Sequence, residues 1–213
     1  MKSVLVIGAG KFGHHIAEFL CDMGNDVTLV DKSETLIEEY ADTVTNAEIG
    51  DFTIKNNLSA LNIKDYDYAF VCIGDFQDSL VTTSYLKELG ARYVISKASS
   101  LTHEKFLLQN GADDVVFPER DTAYRLAVEY DNSKVFDYFQ LSQDTGIFEI
   151  APPDKWIGKS LSNLNVRKIH NLTVIAYKSG DVITPINTPD YVFTKDEHII
   201  VMGTKHNIKK IVK

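Results

Sequence analysis

The sequence predicts an α/β fold, a doubly wound parallel sheet followed by a small α+β domain. Three observations predict it. Short apolar runs alternate with helical patterns from the start of the chain to about residue 117. Several runs end in glycine or in glycine and aspartate, as strand ends facing a crevice do. From residue 145 the alternation gives way to shorter strand-like stretches broken by proline and glycine. The expected division is a nucleotide-binding domain over 1–131, a linker over 132–144 and a second domain over 145–213.

The first element is the run Val4-Leu5-Val6-Ile7, short enough to be a strand buried on both faces. Gly8-Ala9-Gly10-Lys11-Phe12-Gly13 follows at once and fits G-x-G-x-x-G. A helix comes next, with Ile16, Phe19, Leu20 and Met23 on one expected apolar face and Gly24-Asn25 at its end. Residues 27–30 make a second strand, closed by Asp31. Strand, glycines, helix, strand and acid in this order are a Rossmann-like dinucleotide-binding fingerprint. Gly8 serves the tight turn, Gly10 lets a pyrophosphate approach the backbone, and Gly13 lets the helix pack close to the sheet. The helix N-terminus offers unpaired N–H groups to an anion. Asp31, twenty-three residues past Gly8, is placed to accept hydrogen bonds from ribose hydroxyls, and its charge disfavours a 2′-phosphate.

Ser33 is a helix cap for residues reaching Tyr40. Residues 44–49 read as the third strand, ending in Gly50-Asp51; a helix is expected from Phe52-Thr53, with Leu58 and Leu61 inward. Asp51 is either a ligand-side carboxylate or that helix's cap. Residues 68–73 are the fourth strand, followed by Gly74-Asp75 and a helix over 76–89 with Leu80, Val81, Tyr85 and Leu86 inward. Residues 92–96 are the fifth strand, and Lys97 just beyond it is within reach of a phosphate. A helix from Thr102 ends at Gly111, and residues 114–117 are the sixth strand, broken by Pro118-Glu119-Arg120. Residues 121–130 form a helix apolar nearly all round, which calls for cover on more than one side and suggests a subunit contact.

Residues 135–141 read as a bridging segment in the linker. Beyond it, 146–151, 172–177, 182–185 and 198–202 are strand-like, 160–168 is a short helix, and Gly203 leads into a lysine-containing tail.

The 213 residues are 44% hydrophobic and 24% charged, with a net charge of −8, which argues against nucleic acid as a partner. Cys21 and Cys72 lie in apolar segments and read as reduced thiols. Met1-Lys2-Ser3 runs straight into a strand, so no signal peptide is expected, and no apolar run is long enough to span a membrane. His14 and His15 follow the glycine loop inside a helix and read as exposed or ligand-adjacent. The second domain shows no metal-ligand cluster and no nucleophile beside a base. A small NAD-dependent oxidoreductase would need such an acid or base across the cleft. An NAD(H)-binding redox sensor acting on transcription would need a basic DNA-binding module.

The chain resembles the cytoplasmic regulatory proteins of bacterial Ktr/Trk-type potassium uptake systems, which join an N-terminal RCK (regulator of potassium conductance) domain to a C-terminal RCK or TrkA-C domain. The resemblance rests on Gly8 to Gly13, Asp31-Lys32, Gly50-Asp51-Phe52-Thr53, Cys72-Ile73-Gly74, Ser96-Lys97-Ala98, Gly111-Ala112-Asp113 and Pro118-Glu119-Arg120-Asp121. In the second domain it rests on Ile157-Gly158-Lys159-Ser160-Leu161, Arg167, Val174-Ile175-Ala176 and the run 199–203.

The resemblance implies a gating-ring subunit and not an enzyme. Homodimers would assemble into an octameric ring on the inner face of the cell membrane, beneath a K+-translocating subunit. It implies ATP or ADP as ligand, with NAD(H) as a further one. Gly8, Gly10, Lys11, Phe12 and Gly13 would form the phosphate loop, with lysine where many members carry arginine. Asp31 and Lys32 would meet the ribose. Asp51, Phe52, Ile73, Gly74 and Lys97 would line the cleft, Phe52 standing where alanine is commoner. Glu119 would help hold Mg2+, Ca2+ or Na+ near the γ-phosphate. Some members bind cyclic di-AMP between second domains; Arg167, Thr173, Ile175 and Pro185 stand at that place, with Thr173 where asparagine is expected and Asn171 where glycine is.

Overall fold

The computed structural model describes residues 1–131 and 133–212. It divides into two compact units, Met1–Glu119 and Arg120–Lys213. In the first, β1 (Ser3–Ile7), β2 (Asp26–Asp31), β3 (Asn46–Ile49), β4 (Tyr68–Val71), β5 (Val94–Lys97) and β6 (Asp114–Val116) alternate with α1 (Gly13–Asp22), α2 (Glu34–Tyr40), α3 (Lys55–Ala60), α4 (Phe76–Glu88) and α5 (Leu101–Gln109). The six strands pair in parallel in the order β3-β2-β1-β4-β5-β6. This is the doubly wound order, and its reversal between β1 and β4 opens a crevice at the strands' C-terminal ends.

The unbroken apolar run of β1 has a plain cause. Alternate side chains serve opposite faces of the sheet. Val4 and Val6 join Ala17, Val27, Leu29 and Ile37 in one core; Leu5 and Ile7 join Phe52, Leu58, Val71 and Leu86 in the other. Truncating any of these buried leucines to alanine is expected to cost about 3 kcal/mol.

Helix faces differ from those expected. On α1 the fully buried residues are Gly13 and Ala17, flanked by Ile16 and Leu20, while Phe19 and Met23 are 56% and 76% exposed. Close approach at Gly13 rotates the small residues, not the large ones, onto the sheet. On α4 the buried set is Ser79, Thr82, Thr83 and Leu86, with Leu80 and Tyr85 at the margins. Small hydroxyl side chains let α4 lie close to β5, and the Thr83 and Ser96 hydroxyls hydrogen-bond at 2.8 Å. Ser33 does cap α2, its hydroxyl accepting from the Leu36 amide. The helix expected from Phe52 starts only at Lys55, because Asp51 first folds a tight turn around Thr53.

α6 (Pro118–Tyr130) runs from the first unit into the second. The second unit then holds β7 (Val135–Gln140), β8 (Thr145–Ile150), α7 (Leu161–Leu164), α8 (Val166–His170), β9 (Thr173–Ser179), β10 (Val182–Pro185), β11 (His198–Thr204) and α9 (Lys205–Ile211). Its antiparallel sheet has the order β10-β9-β11-β8-β7. Trp156, Phe148, Phe193, Leu172, Ile199 and Val201 form the centre of its core.

Three expectations are corrected here. The segment expected to bridge is strand β7, paired with β8 through an irregularity between Val135 and Asp137 that brings both Val135 and Tyr138 into the core. The helix expected over 160–168 is split into α7 and α8 by Asn165, whose φ of 44° is left-handed. The lysine-containing tail is helix α9, which buries Ile208 and Ile211 and starts at a Thr204 cap. α6 is not closed over on every side in this chain. Val128 packs on the second core, while Leu126 and Tyr130 are exposed. Among the described residues no helix is long and apolar enough to cross a membrane.

Candidate functional site: a nucleotide cleft at the strand ends

The glycines that follow β1 have separate physical roles. Gly8 has φ 103°, and a Cβ there would stand 3.0 Å from the Cys72 carbonyl carbon. A Cβ on Gly13 would stand 1.8 Å from the Gly8 carbonyl oxygen, so only glycine allows this closeness of loop and helix. Gly10 is different: a Cβ there would meet nothing within 4 Å and would project into open space. That is the fit expected where a ligand's phosphates approach the backbone. α1 then starts at Gly13 with no side-chain cap from Phe12, and of its first-turn amides that of His14 is taken by the Gly10 carbonyl oxygen at 3.1 Å.

Asp31 ends β2 and holds the loop. Its Oδ2 accepts from the Ala9 amide at 2.7 Å and its Oδ1 from the Ser33 amide at 2.8 Å. Each oxygen keeps a further lone pair, so the carboxylate can also receive ribose hydroxyls. Asp51, after β3, accepts from the Thr53 hydroxyl at 2.7 Å and the Thr53 amide at 3.1 Å. Those two bonds, helped by Lys32, hold its carboxyl below the usual carboxylate range against the opposing effect of burial. The turn-former is thus a cleft-lining carboxylate, although it caps no helix.

Gly8, Gly10, Asp31, Lys32, Asp51, Phe52, Ile73 and Gly74 line a single cleft of about 260 Å³. Phe52 lines it with its ring packed in the core beneath Gly50. Lys11 and Phe12, in the adjoining loop, and Gly13, the first residue of α1, are not among the lining residues. Lys97 and Glu119 lie outside the lining too and meet each other: Lys97 Nζ donates to Glu119 Oε1 at 2.7 Å and lies 5.8 Å from the centre of the Phe12 ring. The bond from Lys97 holds the Glu119 carboxyl below its ordinary value. A hard cation asks for several oxygens. Glu119 offers one carboxylate already bonded to an ammonium, and among the described residues no group of three or more His, Cys, Asp or Glu gathers to hold a metal. This chain's donors alone do not fit a cation.

The sequence reading missed Thr53, Asp75 and Asp78 as lining residues. Asp75 caps α4 by accepting from the Asp78 amide at 2.9 Å. Its position directly after Gly74 at a strand end was the available signal. Cys72 also lines the cleft, and burial pushes its thiol up to about 12.

In the second unit, Arg167 and Thr173 line a separate shallow groove with Leu161, Asn165, Lys168 and Leu172. Ile175 and Pro185 stand on β9 and β10 outside that lining. Asn171 has φ 53°. Asparagine tolerates that left-handed conformation, so its place where glycine is expected preserves the turn.

Fold and cleft together define a class: a Rossmann-like nucleotide-binding domain joined to a small antiparallel α+β domain. Comparison with known proteins narrows the class. The TrkA-N domain model matches residues 4–118 and the TrkA-C domain model residues 146–213. The Ktr system potassium uptake protein C of Bacillus subtilis is 35% identical over 215 residues, covering 100% of this chain and 96% of its own length. The Ktr system potassium uptake protein A of the same organism is 34% identical, covering 98% and 95%. The chain belongs to the Ktr/Trk family of potassium-uptake regulatory proteins. Among solved structures, the GsuK channel shares the fold with a TM-score of 0.72 at 16% identity over 99% of this chain, and this chain spans 39% of that one. A GsuK structure with NAD bound superposes with a TM-score of 0.68 at 15% identity over 100% of this chain.

Proposed function

We propose that this protein is the cytoplasmic regulatory subunit of a potassium uptake system and that it binds ATP or ADP in the cleft between β1, β2, β3 and β4. One observation carries the reading. The Asp31 carboxylate, fixed by the Ala9 and Ser33 amides, lines a cleft that also opens over Gly10. Carboxylate to ribose and glycine amides to phosphate suit any ligand with an adenosine diphosphate half, NAD(H) included. Lys11 and Lys97 are the cations for phosphates beyond it; to reach one, Lys97 must leave Glu119.

The lining favours binding over catalysis. Its one hydroxyl beside a carboxylate, Thr53 on Asp51, is spent on the turn after β3, and burial pushes its thiol up to about 12. The family relatives are potassium uptake proteins, so nucleotide binding here serves gating. Homodimers form an octameric ring beneath a membrane K+-translocating subunit, and each nucleotide shifts the ring between shapes by its differential affinity for them. Cyclic di-AMP is the second ligand, held between two second domains, with a phosphate at Arg167 beside Thr173 and with Ile175 and Pro185 as apolar contacts to adenine.

Isothermal titration with ATP, ADP, NADH and cyclic di-AMP, with light scattering on each mixture, tests the reading. ATP or ADP binding to a ring-sized particle, lost in Asp31→Ala, supports it. NADH binding alone, by a dimer or monomer, overturns it in favour of a redox sensor.

A further inference from the structure

The proposed cleft does not use the two histidines that follow the glycine loop, and one of them touches it directly. The His14 ring nitrogen Nδ1 lies 3.0 Å from the Gly10 carbonyl oxygen, which also receives the His14 backbone amide at 3.1 Å. A carbonyl oxygen only accepts, so Nδ1 carries the proton and donates. The half-buried imidazole is held on its other side as well. It stacks on Tyr40, the last residue of α2, with ring centres 4.2 Å apart and planes 5° from parallel. His14 therefore ties the glycine loop after β1 to the helix after β2, the two segments that flank Asp31.

From this geometry we infer that His14 is a positioning residue of the phosphate loop, setting the orientation of the Gly10–Lys11 peptide so that its amide faces the phosphate. The argument is stereochemical. In a trans peptide the C=O and N–H point in opposite directions. Two donors hold the Gly10 carbonyl toward α1, so the Lys11 N–H is held away from the helix. Without a side chain at Gly10 this peptide is free to rotate. Turned over, it would present a carbonyl oxygen, and no amide, to an anion. The Nδ1 bond biases the loop toward its anion-accepting form before ligand arrives, and the Tyr40 stack fixes the ring that makes the bond. The effect falls on phosphate and leaves the adenosine contacts at Asp31 alone.

This inference rests on the nucleotide reading of the cleft, and its test separates the two. The full chain is titrated with ADP and with adenosine, unaltered and as His14→Phe and His14→Asn. Phenylalanine keeps a ring for Tyr40 and loses the donor; asparagine supplies an N–H near the place of Nδ1 and loses the ring. His14→Phe is expected to weaken ADP about fivefold, the size of one net hydrogen bond, with adenosine changed less than about twofold. His14→Asn is expected to recover most of the ADP affinity. ADP binding unchanged in His14→Phe, or adenosine weakened as much as ADP, overturns the positioning role. If His14→Phe fails to fold, His14→Asn decides: ADP affinity within about twofold of the unaltered chain supports the role, and a larger loss overturns it. Absence of ADP binding by the unaltered protein overturns the cleft reading and this one with it.

Discussion

Asp31→Ala is the sharpest perturbation because one carboxylate holds two segments of backbone. Its oxygens accept from the Ala9 amide at 2.7 Å and the Ser33 amide at 2.8 Å. A hydrogen bond to a charged group contributes about 1.5–3 kcal/mol. The site is only partly buried, so the lower end applies to each, and the pair contributes about 3 kcal/mol. For a unit of this size, a loss of that order lowers its melting temperature by about 10 °C. The variant also loses the ribose acceptor, which removes at least about tenfold in ADP affinity, or about 1.4 kcal/mol. The assay is thermal unfolding without ligand, followed by ADP titration at a temperature where the variant is folded. Asp31→Asn keeps one accepting oxygen and should fall between the two. Melting within about 2 °C of the unaltered protein, together with unchanged ADP affinity, would refute the reasoning.

Other outcomes follow from the same contacts. Gly13→Ala places a Cβ 1.8 Å from the Gly8 carbonyl oxygen and should cost more than about 3 kcal/mol in melting experiments, since backbone cannot yield cheaply. Gly10→Ala meets nothing within 4 Å and should melt like the unaltered chain while losing the stabilisation that ADP confers; equal behaviour of the two variants would contradict the loop geometry. Glu119→Gln should change stability by less than about 1 kcal/mol, because the Glu119 side chain is 63% exposed. It should tighten ATP binding in divalent-free, low-salt buffer by releasing Lys97, and weaker ATP binding there would sink the assignment. In the second unit, burial acts to raise the Glu149 carboxyl. Bonds from Lys178 at 2.8 Å and His198 at 2.6 Å outweigh it and hold it below the usual range. A lowered carboxylate contributes stability above its unfolded value, and that stability is lost as pH falls through the folded one. Glu149→Gln should therefore cost about 1–3 kcal/mol at pH 7, with the deficit shrinking as acid unfolding is followed downward. A pH-independent deficit would show that the carboxylate's charge is not the cause.

The sequence by itself determined the parallel sheet, because each of its strands is announced locally. β1 is a short apolar run, and glycine or aspartate closes β1, β2 and β3 where a crevice must lie. It also placed Gly8, Gly10, Asp31, Asp51 and Gly74 around one cleft, since every one stands at or just past a strand's C-terminal end and a doubly wound sheet gathers those ends. Only the tertiary structure decided which side of α1 and α4 is buried. Close packing at Gly13, and between Thr83 and Ser96, selects small residues over the larger apolar ones that periodicity favours. The same holds for β7, whose pairing with β8 shifts register at Val135, so that no period of two marks it. Lys97 with Glu119, twenty-two residues apart, and Glu149 with Lys178 and His198, drawn from three strands, carry no local sign of each other. Periodicity and turn chemistry act over a few residues and can be read from neighbours in the chain. Partnership between charges, and the choice of buried face, depend on distances that exist only once the sheet has assembled.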